Sequence, residues 1–259
     1  MDIFGDITYL LTNYFSMFLN GLLSTLLLAI IGTVVGLFLG IFLAFGKNLK
    51  VKKEDKFLVK FYKYPIIWFC NIYSTVVRGT PMMVQAMIFK YTCQLVFNIN
   101  WNLILPGLDV LNGWLIAGLI VITFNTAAYM GEIVRSGLNG VDNGQIEGAR
   151  SLGLSSLQTL FLVALPQALR NALPTIGNEL IVNIKDSSVL NVIGVSELFF
   201  QAQQAANKGY KYIATYIIIA IIYLICTLIA TLVLKLIEYK MDGKKFNFTL
   251  FHFKKKGQQ

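Results

Sequence analysis

Long apolar runs constrain this chain more than any other feature. A helix needs about 20 mainly apolar residues to cross the hydrocarbon core of a bilayer, and runs of that order occupy residues 17–46, 62–97, 113–130, 174–200 and 212–237. With 56% hydrophobic and only 14% charged side chains, the composition lies outside the soluble globular range and predicts an all-α integral membrane protein. The net charge of +9 does not point to nucleic acid, because the basic residues bracket apolar runs and form no separate polar domain.

The run 62–97 is long enough for two spans and is interrupted by Arg78, Gly79, Thr80 and Pro81, which leaves five or six crossings open. Charge chooses between them. Lys47, Lys50, Lys52, Lys53, Lys56, Lys60 and Lys63 crowd the first loop, and Lys240, Lys244, Lys245, Lys254, Lys255 and Lys256 follow the last run. The positive-inside rule places both groups in the cytoplasm, which requires 62–97 to cross once. The expectation is therefore five spans with an external N-terminus and a cytoplasmic C-terminus. Residues 1–16 form the extracytoplasmic N-terminus, 17–237 a single transmembrane domain with a cytoplasmic loop at 132–170, and 238–259 a basic cytoplasmic tail. Residues 1–16 and 98–112 contain no Lys or Arg, as outer segments should, while Lys208 and Lys211 run against the rule. The first residues lack the positive region of a signal peptide, so no cleavage is expected.

Several chemistries are disfavoured at once. Cys70, Cys93 and Cys226 sit singly in apolar runs without CxxC spacing, which supports neither a disulfide framework nor a thiolate metal site. His252 is the only histidine, so imidazole catalysis and metal binding are not expected. GxxxxGK[ST] and GxGxxG are absent, and no nucleophile, base or carboxylate pair forms a catalytic constellation. No cofactor is expected in this chain.

The segment 141–166 is the polar exception. Asp142 or Asn143 can cap a short helix through Leu152, and Gly153 stands where a left-handed residue closes a helix at little cost to glycine. Ser155 and Gln158 have capping-box spacing for a second helix, which Pro166 is expected to stop. Gly144, Gly148 and Ala149 give the first helix a low-profile face, with Glu147 and Arg150 beside it, a shape suited to insertion into a partner's cleft.

Glu147, Gly148 and Ala149, then Gly153, then Val163, Leu165 and Pro166 resemble the EAA motif in the membrane-spanning subunits of bacterial ABC importers. The spacing matches at every element, with Gly148 in place of alanine and Val163 in place of isoleucine. The blocks VVRGTPMMVQ (76–85), NTAAYMGEIVRSGLNGVDNGQ (125–145) and NIKDSSVLNVIGVSEL (183–198) are similar to the polar amino acid permeases of that group, the histidine, glutamine, arginine and cystine type. This resemblance implies the type I ABC importer permease fold in a bacterial cell membrane. It implies a second permease subunit, either the same chain or a paralogue, a dimer of ATPase subunits that bind ATP and Mg, and an extracytoplasmic amino-acid-binding protein. The 141–166 loop would be the coupling helix. A permease for another small solute, such as methionine or an organic cation, is the alternative; a secondary carrier or channel would have no need of the loop.

Ionisable residues inside spans usually face a partner or a water-filled path. Arg78 lies beside the Gly79–Pro81 interruption, and Lys185, Asp186, Ser187 and Ser188 interrupt 174–200. Arg78, Gln85, Glu179, Lys185, Asp186 and Ser187 are candidates for a polar path and gate; the plainer reading is internal charge balance and snorkelling. Gly32, Gly36 and Gly40 suit close helix packing, with a subunit interface as the sharper option. Met82, Met83 and Met87 suit packing or lining. The lysine runs suit topology and lipid headgroup contact.

Overall fold

A computed structural model describes residues 2–49, 51, 56–104 and 112–242, and the described residues contain helices and no strand. Lys50, Lys52 and Lys53, part of the expected cytoplasmic first loop, and the tail from 243 onward lie outside them, with His252 and its neighbouring lysines.

Helix α1 spans Ile3–Asn48, 46 residues, or about 69 Å at 1.5 Å per residue. Asp2 caps its start by accepting from the Gly5 amide at 3.0 Å, and the helix bends at Tyr14 (φ −126°, ψ 15°). The helix thus begins well before residue 17, because polar capping rather than hydropathy sets its end. Near the start of this helix Asp6 meets Lys211 at 2.6 Å. That carboxylate raises the pKa of the Lys211 ammonium and balances its charge.

Helix α4, Gly113–Asn139, packs along α1. A β-carbon on Gly32 would lie 2.8 Å from Ile122 Cγ2, one on Gly36 2.9 Å from Thr126 Cγ2, and one on Gly40 2.5 Å from Met130 Cβ. The glycine stripe therefore serves packing within the subunit, the plainer of its two readings. The same α4 runs on to Asn139, so the polar segment expected from 132 starts at Gly140.

The run 62–97 is broken, as its interruption suggested. Helix α2 is Phe57–Gly79 and α3 is Met82–Tyr91, extended by a π-helical turn at Thr92–Val96. Thr80 is extended (φ −123°, ψ 145°), the conformation favoured by a residue before proline. Helices α5 (Asn143–Ser151) and α6 (Ser156–Thr159) form the loop. Helix α7 then runs Leu165–Asp186. Pro166 does not stop the run: a π-helical turn at Leu160–Ala164 shifts the hydrogen-bond register ahead of it, so the missing donor falls in the first turn of α7.

The run 174–200 is likewise not one helix. α7 ends at Asp186, a 3-10 segment covers Ser187–Ile193, Gly194 turns left-handed (φ 99°), and α8 (Leu198–Gly209) begins afresh. Hydropathy alone merges these pieces because Val189, Leu190, Val192 and Ile193 keep the window apolar. Helix α9 is Tyr212–Asp242. Among the described residues, three helices are long and apolar enough to cross a membrane: α1, α4 and α9. Only 11% of the most apolar window of α9 is buried, which leaves most of it for lipid or another chain.

One polar knot lies in the middle of the bundle. Asn183 on α7 donates to Thr33 Oγ1 on α1 at 2.8 Å and accepts from Thr126 Oγ1 on α4 at 3.1 Å. All three residues are buried, and hydrogen bonding between helices is the main polar adhesive available at bilayer depth. Glu197, fully buried, caps α8 by accepting from the amides of Phe199 and Phe200 and the hydroxyl of Tyr223.

Candidate coupling loop and translocation path

The loop is built from local signals. Asp142 accepts from the Gly144 amide at 2.6 Å and starts α5. At the other end the Gly153 amide donates to Arg150 O and the Leu154 amide to Ala149 O, the paired bonds of a Schellman closure, with Gly153 at φ +82°. Ser155 then accepts from the Gln158 amide at 3.3 Å, while Gln158 Oε1 accepts from the Ser155 amide at 2.9 Å. That is a complete capping box, so both helices are held by bonds reaching no more than five residues along the chain.

Orientation follows from these caps. Ala149 is buried against the subunit, whereas Glu147, Gly148, Arg150 and Gly153 are exposed. Leu152, at the bend, is 85% exposed. Leu152 thus stands as an exposed apolar side chain beside the low face of Gly148. Val163 and Leu165 are half-buried and Pro166 exposed, at the π-turn that feeds α7. Behind α5 lies a cavity of about 500 Å³ floored by Phe45, Leu138, Val141, Leu160 and Phe161.

The expected path residues divide into two groups. Gln85 sits at the break between α2 and α3, where its amide donates to Val77 O at 2.7 Å, Thr80 O at 2.9 Å and Thr80 Oγ1 at 2.8 Å. Its carbonyl accepts from Asn125 on α4 at 3.0 Å. Gln85 therefore satisfies carbonyls that a break at bilayer depth leaves unpaired. Arg78 is held by α4, with Nη1 3.5 Å from Glu132 Oε1 and its guanidinium 5.5 Å from the Tyr129 ring centre.

The second group lies on α7. Lys185 and Asp186 are exposed at its end, Ser187 is buried and donates to Ile184 O, and Glu179 is half-buried. Asn171, Thr175, Asn178, Lys185 and Asp186 share one exposed face by the 3.6-residue period. A polar face on a helix among membrane spans needs water or protein opposite it. Helix α3 packs against the 3-10 segment 187–193, with Ala86 and Met87 clustered against Leu190 and Val192. Arg78 itself contacts α4 rather than the end of α7.

Sequence reasoning missed Glu132, Asn183 and Glu197. Glu197 carried a signal, an acidic residue directly before an apolar helix. Asn183 and Glu132 carried none within reach of local pattern, since their partners lie elsewhere in the chain.

Residues 65–243, more than half of the chain, match the family described as "Binding-protein-dependent transport system inner membrane component". A putative glutamine transport system permease protein of Rickettsia prowazekii (strain Madrid E) is 34% identical over 173 residues, 67% of this chain and 74% of that protein. The arginine transport system permease protein ArtQ of Bacillus subtilis (strain 168) is 36% identical over 154 residues, 60% of this chain and 65% of that one. The crystal structure of an amino acid ABC transporter with histidines matches with a TM-score of 0.73 at 34% identity, covering 89% of this chain and 96% of its own. A methionine ABC transporter in an inward-facing conformation shares the fold, with a TM-score of 0.58 at 17% identity.

Proposed function

Because the chain belongs to the family of binding-protein-dependent transport system inner membrane components, we propose that it moves a polar amino acid inward through the cell membrane and takes its energy from partner ATPase subunits. It is a membrane-embedded permease of the ABC class, a transport component rather than an enzyme. ATP with Mg binds to the partner ATPase dimer, a binding protein delivers the cargo outside, and a second permease subunit, identical or paralogous, completes the pore.

The observation that carries this reading is the exposed, capped turn at 142–158. Glu147, Gly148 and Leu152 are presented outward on a helix whose two ends are fixed, so force applied there is passed to α4 and α7 rather than absorbed by fraying. Ala149, Val163, Leu165 and Pro166 hold its base. Arg78, Gln85, Glu179, Lys185, Asp186 and Ser187 line the path, where a guanidinium suits the α-carboxylate that every amino acid carries.

The test is uptake by proteoliposomes holding the subunit with its ATPase and binding protein. ATP-dependent entry of glutamine, arginine or histidine is the expected result; entry without ATP, or of none of a full amino acid panel, overturns the reading. The five-span topology has its own test. Single cysteines at Asn100 and Asn143, in a background without Cys70, Cys93 and Cys226, should be labelled from opposite sides of the membrane. Labelling of both from outside would exclude it.

A further inference from the structure

Glu132 lies on α4, outside the coupling loop, where it lines a cavity opposite Asn171 and Thr175 of the α7 polar face and gathers cations from three helices. Its Oε1 lies 2.5 Å from Lys47 Nζ on α1 and 3.5 Å from Arg78 Nη1 on α2, and its Oε2 accepts from Arg135 Nε at 2.8 Å, one turn further along α4. The Lys47 side chain is 6% exposed and that of Glu132 is 22% exposed. A buried ammonium is tolerated only beside a fixed counter-charge, so the Lys47 pair anchors the carboxylate.

Arg78 is attached differently. At 3.5 Å it is beyond a normal N–H···O bond, held by charge and by Tyr129 rather than locked. It is also the residue next to Gly79, the last of α2 before the break. From Glu132, α4 continues unbroken to Asn139, about 10 Å, and Asp142 then caps the coupling helix. One helix and a short turn at 140–142 thus join the surface offered to the ATPase to the carboxylate that steadies Arg78.

We infer that Glu132 is a positioning residue, through which movement of the coupling loop sets the place of Arg78 at the helix break. The inference rests on the proposed path role of Arg78. A shift of α4 changes the Glu132 to Arg78 separation while the shorter Lys47 contact keeps the carboxylate charged and placed.

The experiment uses the assembled transporter in proteoliposomes, with uptake normalised to assembled complex. Glu132→Asp keeps the negative charge but draws it back by one methylene, about 1.5 Å in an extended side chain, which leaves Lys47 at the edge of ion-pair range and carries the already longer Arg78 contact beyond it. The expected result is an unchanged KM, unchanged assembly and basal ATPase activity, and a maximal uptake rate about tenfold lower. Arg78→Lys should show a similar loss, and the double variant should be no slower than either single one, because both changes interrupt one step. As a check against misfolding, Lys47→Met with Glu132→Gln removes the buried charges together and should also slow uptake. Wild-type uptake by Glu132→Asp, a loss explained wholly by lower assembly, or additive losses in the double variant would each overturn the inference. If Arg78→Lys slows uptake while Glu132→Asp does not, the path role of Arg78 stands and only Glu132 is misassigned. If Arg78→Lys transports normally, the path role itself falls, and this inference with it.

Discussion

The coupling loop and the interior of the helix bundle are stabilised by hydrogen bonds of opposite reach. In the loop, Asp142 binds two residues ahead, Ser155 and Gln158 bind each other across three, and the Gly153 and Leu154 amides close the helix against Arg150 and Ala149. In the interior, Asn183 bonds Thr33 across 150 residues and Thr126 across 57, and Glu132 meets Lys47 across 85. Local bonds make an element whose shape survives where it is pushed. Distant ones hold the elements together. Substitutions in the loop should therefore remove coupling from a folded subunit, whereas substitutions that break the Asn183 knot or crowd the α1–α4 seam should destabilise it.

The largest effect is expected where α1 and α4 meet. A β-carbon on Gly40 would already lie 2.5 Å from Met130 Cβ and 2.8 Å from the Gly131 amide nitrogen, so neither neighbour can withdraw cheaply. Gly40→Leu should destabilise the subunit by about 3 kcal/mol, the upper range for overpacking, seen as a lower thermal midpoint and less folded protein in detergent. A wild-type midpoint would mean that the helices are not fixed at this distance.

The buried knot comes next. Asn183→Leu removes a donor and an acceptor and leaves Thr33 and Thr126 to find other partners, at about 1–2 kcal/mol for bonds between membrane helices. Asn183→Asp should be worse than Asn183→Leu, since it buries a carboxylate with no donor in place of the amide. The reverse order in thermal stability would show that water reaches the site.

These two regions also mark what could be read from the sequence. Asp142, Gly153, Ser155 and Gln158 were legible because each cap or bend is made within a few residues, and chain order is then nearly spatial order. The helix break at Arg78 to Pro81 was legible too, since proline acts on its own neighbour. Pro166 was misread for the same reason: proline predicts a missing donor, but the π-helical turn at Leu160–Ala164 places that gap in the first turn of α7, where no donor is needed. Neither Asn183 nor Glu132 could be identified, because nothing near them names Thr33 or Lys47. The end of α7 at Asp186 coincides with the polar interruption expected there, whereas the separate α8 was hidden by the apolar 3-10 segment between them.

Gly153 tests the other side of the comparison. It sits at φ +82° with nothing within 4 Å of a would-be β-carbon, so a substitution strains backbone without creating a clash. Gly153→Val should cost about 1–2 kcal/mol at this one residue, leaving insertion and thermal midpoint near wild type. Transport and transport-linked ATP hydrolysis should fall together, by about tenfold if 1.4 kcal/mol of that strain weakens the docked geometry. A lower midpoint with normal coupling would place Gly153 in the structural group instead.

The smallest effect belongs to the capping box, and it shows how finely the local bonds matter. Ser155→Ala removes the acceptor for the Gln158 amide, a loss of about 1 kcal/mol for an N-cap, but the left-handed Gly153 still turns the chain and Gln158 can still reach the Ser155-position amide. The first turn of α6 should fray while α5 keeps its place. Uptake should fall about two- to threefold with no change in thermal midpoint. Ser155→Asp keeps an acceptor at the helix start and should restore uptake to near wild type, which a loss caused by missing hydroxyl contact with the ATPase would not allow. Gln158→Ala removes the reciprocal bond from side chain to backbone and should weaken uptake less than Ser155→Ala, because the exposed Ser155 amide can turn to water. If Ser155→Ala proves as damaging as Gly153→Val, the bend and the cap are one mechanical unit, and the second helix transmits force together with the first.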